Sequence, residues 1–407
     1  MMNTNGDWRR LKKEHERDKR RKAAGAALLV LPAVAFVCVT FISAIAFFLF
    51  KSVDNSVVPD TLPHATAAIQ GWSGQGTPGE EVYTALFEDL RQAKGSQDLF
   101  VLSRRLNYQQ PGLMALINKT ARRLPVENPQ SYKEALTGID AKWGEPEVWR
   151  LIHRESSSLT SFFLRSTIGM TGPKYGDVSD AGGTVYSTTL LRTFWISAIV
   201  TAVCLVLGYP LAYLLASARG KVLRLVLLGL VLTPFWTSLL VRTLAWIVIF
   251  AKDGIANAIL AWIGLITEPI SMLYTRGALY VGMVQILLPF MVLSIYSVMR
   301  GISPIYARAA LSLGAKPLYA FYTVYLPQTM PGVGAGIVLV GVLALGFYIT
   351  PMFLGGPHDQ MVSYYIAYFT DQNANWGMAA SLGVWLLAFT LVAFALVNKF
   401  VGVNKAR

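Results

Sequence analysis

The chain has 407 residues, of which 54% are hydrophobic and only 14% are charged, and its formal net charge is +13. Soluble domains average about 25% charged residues, and so few charges cannot cover a water-facing surface of this size. The composition therefore excludes an ordinary soluble enzyme and a disordered chain, and it predicts a membrane protein. The two cysteines and four histidines are scattered singly, so we predict neither a disulfide framework nor a metal site.

Six apolar segments reach the roughly 20 residues that a helix needs to cross a bilayer. We predict transmembrane helices at residues 23–50, 190–216, 225–250, 278–299, 332–354 and 376–397. The first segment is longer than the central region of a signal peptide, and no small-residue cleavage site follows it, so we interpret it as a retained anchor. The predicted fold class is an all-α membrane protein with six transmembrane helices and a large insertion between the first two.

The basic residues cluster on one side of this topology. The first 25 residues carry nine Lys or Arg against four Asp or Glu. The loops after the second and fourth spans and the tail at 399–407 add basic residues and no acidic ones: Arg219, Lys221, Arg224, Arg300, Arg308, Lys316, Lys399, Lys405 and Arg407. Residues 51–189 carry 14 basic and 15 acidic groups. The positive-inside rule therefore predicts an inner-membrane protein whose basic N-terminus (1–22) and tail are cytoplasmic and whose 51–189 region is periplasmic. The positive charge reflects topology and not a nucleic-acid partner.

Residues 51–189, hereafter the insertion, show the periodicity of short amphipathic helices. Thr77, Pro78 and Glu80 have the pattern of a helix start with Thr77 as the N-cap, and two further runs follow Ser96 and Pro146. The apolar residues at helical spacing in these runs are Val82, Leu86, Leu90, Leu99, Leu102, Leu106, Trp149 and Ile152. We expect a mostly helical domain, with a loosely ordered loop as the alternative, and a glycine-rich linker at 169–183.

The transmembrane segments carry little that could perform chemistry. No G-x-x-x-x-G-K-[ST] loop occurs, so the chain does not bind ATP in that way. No arrangement of serine, cysteine or histidine indicates nucleophilic catalysis. The six predicted spans contain no Asp or Glu, whereas proton- or ion-coupled carriers usually place an ionisable residue inside the membrane. The sequence therefore argues against a secondary transporter and a cation channel.

The stretch at 306–327 is basic and rich in small residues, and the charge distribution places it in the cytoplasm. The pattern predicts a short helix from Pro304 to Leu313, a break at Gly314 and a second apolar helix that ends at Pro327. On composition alone, a helix that lies on the lipid surface between two spans is the alternative.

The spacing in this stretch closely resembles the EAA loop of bacterial ABC importer permeases: E-A-A, three residues, G, nine residues, I, one residue and L-P. The matching positions are Arg308, Ala309, Ala310, Gly314, Val324, Leu326 and Pro327. Arg308 stands where the family usually has glutamate. Residues 232–246, 287–293 and 345–356 resemble the spermidine/putrescine-type subfamily, and the likeness covers about residues 185–400.

This resemblance implies one of two membrane subunits of an ATP-driven importer, which is not itself an enzyme. It implies a five-helix permease core at 190–398, whose coupling loop at 300–331 docks on a cytoplasmic ATPase dimer. The ATPase would bind the ATP, and a second permease subunit and a periplasmic binding protein would complete the assembly. The alternative from another class is a membrane-anchored periplasmic sensor or assembly protein that works through the insertion.

Trp236, Arg242 and Tyr348 are the candidate residues of the translocation pathway. Arg242 lies near the outer end of the predicted third span, where it either extends to the membrane surface or faces the partner subunit as a gate. The five glycines of the fifth span favour close helix packing. The resemblance favours a polyamine cargo. Because the spans offer Arg242 and no carboxylate, a carboxylate-bearing amino compound such as an opine stays open.

Overall fold

The computed structural model describes residues 29–124, 130–170, 181–218 and 220–401, together with His15, Asp18, Lys19 and Gly25. The structure over these ranges is mostly helical and contains no named strand, only an isolated bridge between Asp54 and Leu159. Five helices are long and apolar enough to cross a membrane, and a sixth crossing is reached if one bent pair of helices counts as one span. The all-α membrane class is thus confirmed.

The N-terminal helix α1 (Leu29–Phe50) belongs to a separate compact unit, Met1–Lys51. It is uniformly apolar and contains a π-helical turn at Cys38–Ile42. Its side chains make no buried core within their own unit. The described part agrees with the predicted first span.

The insertion folds as a set of short helices in the second unit, Ser52–Arg407. They are α2 (Val57–Thr61), α3 (Pro63–Ile69), α4 (Glu80–Gln92), α5 (Gln97–Asn107), α6 (Leu113–Arg123), α7 (Tyr132–Ile139), α8 (Pro146–Arg154) and α9 (Phe162–Thr167). All eight apolar residues that the sequence singled out are buried in one core, where Trp143 and Trp149 are the largest fully buried side chains. The described residues of the insertion therefore fold as helices packed around a common core, and not as a loose loop.

The helix starts of the insertion were predicted with mixed success. Ser96 caps α5 by accepting a hydrogen bond from the backbone N of Leu99 at 3.1 Å, and α8 begins at Pro146. The N-cap at Thr77 was wrong, because α4 begins at Glu80 after Gly79. Most of the predicted 169–183 linker, residues 171–180, lies outside the described residues.

The helices of the predicted permease core run from α10 onward. Its helices are α10 (Ala181–Ser217), α11 (Lys221–Leu232), α12 (Leu239–Phe250), α13 (Ile255–Trp262), α14 (Arg276–Met299), α15 (Pro304–Ser312), α16 (Pro317–Leu345), α17 (Ile349–Leu354), α18 (Val362–Ala367) and α19 (Trp376–Val401). Helices α10, α14 and α16 pack together around buried residues such as Val200, Met291 and Val340. Prolines 210, 289 and 331 lie inside these helices, which membrane helices tolerate when neighbouring groups satisfy the freed carbonyls.

Two predicted spans need correction. The third is broken, since a 97° bend separates Lys221–Trp236 from α12, and Pro234 lies in a 3₁₀ turn at the bend. The fifth was predicted at 332–354, but α16 begins at Pro317, ends at Leu345 and is followed by the separate helix α17. Pro351 explains the second break, because it has no N–H to donate to the carbonyl four residues earlier and its ring crowds that carbonyl.

The insertion is attached to the first turns of α19. A Cβ built on Gly377 would lie 2.4 Å from the ring of Phe163, so the glycine allows α9 to approach α19 closely. The hydroxyls of Thr167 and Ser381 are 2.9 Å apart, and Trp385 Nε1 donates to the carbonyl of Leu164 at 3.4 Å. The insertion and the core are therefore joined by buried side-chain contacts as well as by the covalent connection between them.

Candidate functional site

The first half of the coupling loop is a capped helix followed by a sharp turn. Ser303 caps α15 through a hydrogen bond from the backbone N of Ile305 at 3.4 Å. At the other end the N–H of Ala315 donates to the Ala310 carbonyl, and the N–H of Gly314 donates to the Leu311 carbonyl. This is the Schellman arrangement, which requires a left-handed residue after the helix. Gly314 has φ +89°, so the predicted break at Gly314 is confirmed.

Helix α15 and the residues that follow it expose apolar side chains. Arg308 and Ala309 are exposed, Ala310 is half-buried, and Leu313 and Leu318 are 89% and 72% exposed. Arg308 Nε lies 3.5 Å from the Pro304 carbonyl of its own helix. Apolar surface of this kind, where it is contiguous, marks interaction sites with protein or membrane.

The second half of the loop does not end at Pro327, which corrects our prediction. Helix α16 runs from Pro317 through Val324, Leu326 and Pro327 to Leu345. A π-helical turn at Phe321–Tyr325 precedes Pro327. Because a proline has no N–H to donate to the carbonyl four residues earlier, the wider turn lets the helix continue past it.

Aromatic side chains connect this part of the loop to α10. The ring of Phe321 stacks on Tyr325 with centroids 5.8 Å apart and meets Tyr213 edge-on at 5.9 Å. The hydroxyl of Tyr209 lies 3.2 Å from Thr329 Oγ1. Sequence reasoning missed these contacts, although tyrosines at 209 and 213, spaced by one helical turn, were a usable signal. This part of the loop therefore packs directly on α10.

The three candidate pathway residues lie on elements near the bend of the third span. Trp236 is 88% exposed in the bend, and Tyr348 is 39% exposed between α16 and α17. Helix α12 contacts α17, where Thr243 Oγ1 and Thr350 Oγ1 are 3.5 Å apart. No hydrogen bond or ring contact among Trp236, Arg242 and Tyr348 is found in the described part of the chain.

The half-buried Arg242 folds back on the bend. Its Nη2 donates to the Thr237 carbonyl at 3.2 Å, and its buried Nε has no partner among the described residues. The guanidinium thus satisfies a carbonyl that the bend leaves without a helical N–H. One of its donors stays available to another group.

The described helices thus combine an apolar core of candidate membrane spans with an exposed loop at 300–316. The family model described as "Binding-protein-dependent transport system inner membrane component" matches residues 208–402. The chain is 36% identical over 202 residues to the spermidine/putrescine transport system permease protein PotB of Escherichia coli. This match covers 50% of this chain and 73% of that protein. The chain is also 35% identical over 210 residues to PotB of Haemophilus influenzae, covering 51% and 73%.

A structural comparison gives similarity to a chain of a bacterial ABC transporter involved in the import of the acidic polysaccharide alginate. That match has a TM-score of 0.43 and 19% identity, and covers 60% of this chain and 88% of that one. On the sequence matches, the chain belongs to the family of inner-membrane permeases of binding-protein-dependent ABC importers. The predicted family is confirmed. Its members are transporter permeases, which are not enzymes, as the sequence analysis expected.

Proposed function

We propose that this chain forms half of the translocation pathway of an ATP-driven importer for polyamines such as spermidine and putrescine. The observation that carries the proposal is its identity to spermidine/putrescine permeases, at 36% over half of the chain. The same half contains the coupling loop and the broken third span. The comparisons support neither the opine alternative nor the sensor or assembly protein.

The coupling loop is proposed to dock on the ATPase dimer. The support is physical: α15 ends in a turn that only a few residues can adopt, and its apolar side chains Ile305, Tyr306 and Leu311 are exposed. In this proposal Arg308, Ala309, Ala310 and Gly314 form the contact, while Val324, Leu326 and Pro327 anchor the loop to the membrane helices. ATP is bound by the ATPase, and a second permease subunit completes the pathway.

The insertion is proposed to lie in the periplasm, with both termini cytoplasmic. The support is the even balance of charge in residues 51–189 against the basic excess of the termini and of the loops after the second and fourth spans. We expect reporter fusions at residues 120 and 365 to be active in the periplasm, and fusions at 220, 310 and 405 to be active in the cytoplasm. A cytoplasmic signal at 120 would contradict this topology.

Arg242 is proposed to serve the pathway through its planar guanidinium. Lysine keeps the charge and the long stem but cannot donate two N–H groups in one plane. We expect Arg242→Lys to lower the uptake rate severalfold while the amount of protein in the membrane stays normal. Normal transport by Arg242→Lys would instead show that the residue only holds its charge at the membrane surface.

The cargo is tested in cells that lack their own polyamine uptake and express the permease pair, the ATPase and the binding protein of this system. We expect uptake of labelled spermidine or putrescine that unlabelled polyamine inhibits and that an amino acid conjugate such as an opine does not. Uptake of a labelled opine with no uptake of labelled spermidine or putrescine would overturn the proposed cargo.

A further inference from the structure

Five aromatic rings meet at the end of the core that adjoins the insertion. This tyrosine cluster consists of Tyr186 on α10 and of Tyr364, Tyr365, Tyr368 and Phe369 on α18 and the π-helical turn that follows it. Ring centroids are 5.8 Å apart between Tyr186 and Tyr365 and 5.4 Å apart between Tyr364 and Tyr365. The rings of Tyr364 and Tyr368 are nearly parallel, at 19° and 6.4 Å. The four tyrosines are half-buried, so none of them is sealed inside the core.

The backbone beside this cluster departs from regular helix twice. Residues Tyr368–Gln372 form a π-helical turn, and Ala374 has φ +44° although it is not a glycine. Next to it, Asn375 is 5% exposed, and its Nδ2 has no hydrogen-bond partner among the described residues. Strained backbone and π-helical turns concentrate at functional sites, which makes this segment a candidate for a functional role.

The insertion contacts the same segment. The hydroxyl of Tyr108, just after α5, donates to the Asn373 carbonyl at 3.3 Å. The cluster therefore lies where the insertion, α10 and the segment between α18 and α19 meet. In the topology proposed above, this is the periplasmic end of the core, where a cargo first reaches the membrane subunit.

The charge pattern around the cluster suits a cation. Asp371 is exposed in the π-helical turn, and the carbonyl end of that turn adds partial negative charge. The predicted spans offer no carboxylate, so aromatic faces are one means by which the core can attract ammonium groups beside the carboxylate of Asp371. The face of an aromatic ring attracts a cation within about 6 Å of its centroid, and groups of such rings form cages for alkylammonium ligands.

We propose that the tyrosine cluster and Asp371 form a binding site for the ammonium groups of the cargo at the entrance of the pathway. This inference rests on the proposed polyamine function and adds the place and chemistry of recognition within this subunit. The ring faces of Tyr365 and Tyr368 bind ammonium groups and the methylene chain between them, and the Asp371 carboxylate pairs with an ammonium group at the rim.

The test measures equilibrium binding of radiolabelled spermidine to the purified complex of both permeases and the ATPase, without nucleotide and without the binding protein. We expect Tyr365→Leu and Tyr368→Leu to weaken binding on the order of tenfold, and Asp371→Asn to weaken it less. Tyr365→Phe keeps the ring face and should bind spermidine almost as well as the unaltered protein.

Trp376→Leu is the matched control. Trp376 is an exposed aromatic residue at the start of α19, next to the cluster but outside it, and its loss should leave spermidine binding unchanged. Unaltered affinity in Tyr365→Leu and Tyr368→Leu would overturn the site, as would an equal loss in Trp376→Leu, which would show that these aromatic residues only position the core at the membrane surface.

Uptake by the unaltered transporter distinguishes the site from the cargo. If the full system imports spermidine and the complex alone binds none, the site is wrong and the proposed function stands. If the full system imports no polyamine at all, the proposed function itself fails.

Discussion

Replacing Gly314 by valine is expected to abolish uptake while the subunit still inserts at normal abundance. Gly314 has φ +89°, and an added Cβ would meet nothing within 4 Å, so crowding cannot cause the effect. A β-branched residue in the left-handed region costs roughly 1–3 kcal/mol of backbone strain. We expect this strain to change the turn and so the direction of α15. Because the turn lies on an exposed loop and not in the membrane core, insertion should stay normal.

The matched control is Gly314→Asn, because asparagine tolerates the left-handed conformation and should retain most of the uptake. Uptake is measured together with co-purification of the ATPase.

Ala310→Leu should also release the ATPase if α15 enters a protein groove, since packed interfaces tolerate added methylenes poorly. Arg308→Glu, which introduces the usual family residue, should be mild. Full uptake and unchanged ATPase retention in the valine and leucine variants would contradict docking on the ATPase and would favour the alternative that α15 lies on the lipid surface.

Gly332→Ala is expected to destabilise the permease core itself. A Cβ at Gly332 would lie 2.9 Å from Val298 Cβ and 3.2 Å from Ile295 Cα, and neither atom can move without shifting α14. Overpacking of this kind costs about 1–3 kcal/mol. We expect a lower melting temperature in detergent and a lower abundance in the membrane.

Gly341→Ala on the same helix is the control for that prediction. Its Cβ would lie 3.8 Å from Thr201 Oγ1, which is an ordinary contact, so stability should be unchanged. Equal melting temperatures for Gly332→Ala and the unaltered protein would contradict the close packing of α14 against α16.

Hydropathy predicted the membrane helices well where their neighbours impose no break. The second, fourth and sixth spans agree with α10, α14 and α19 to within about ten residues at each end. The predictions of the third and fifth spans failed at Pro234 and Pro351. A count of consecutive apolar residues does not register a missing N–H or a 97° bend.

Apolar periodicity predicted the buried face of the insertion correctly. Its first helix start failed because the Glu80 carboxylate accepts hydrogen bonds from the backbone N–H groups of Tyr132 and Lys133, and so caps a different helix.

The coupling loop could be placed from the sequence because its signal is local. Pro304, Gly314 and the basic residues define a helix and a turn within about a dozen residues, and the structure has both. The contacts of Phe321 with Tyr209 and Tyr213, and the tyrosine cluster, join residues more than 100 positions apart. Such contacts depend on how the membrane helices pack, which local spacing does not contain.

The central claim is most directly tested by spermidine release from proteoliposomes that contain both permeases and the ATPase in inside-out orientation. The binding protein and labelled spermidine are enclosed in the vesicles, and ATP is supplied from outside. Our account predicts spermidine export from these vesicles that requires hydrolysable ATP and the binding protein, and that Gly314→Val removes while Gly314→Asn retains. Spermidine movement that continues without ATP, or that Gly314→Val leaves unchanged, would contradict it.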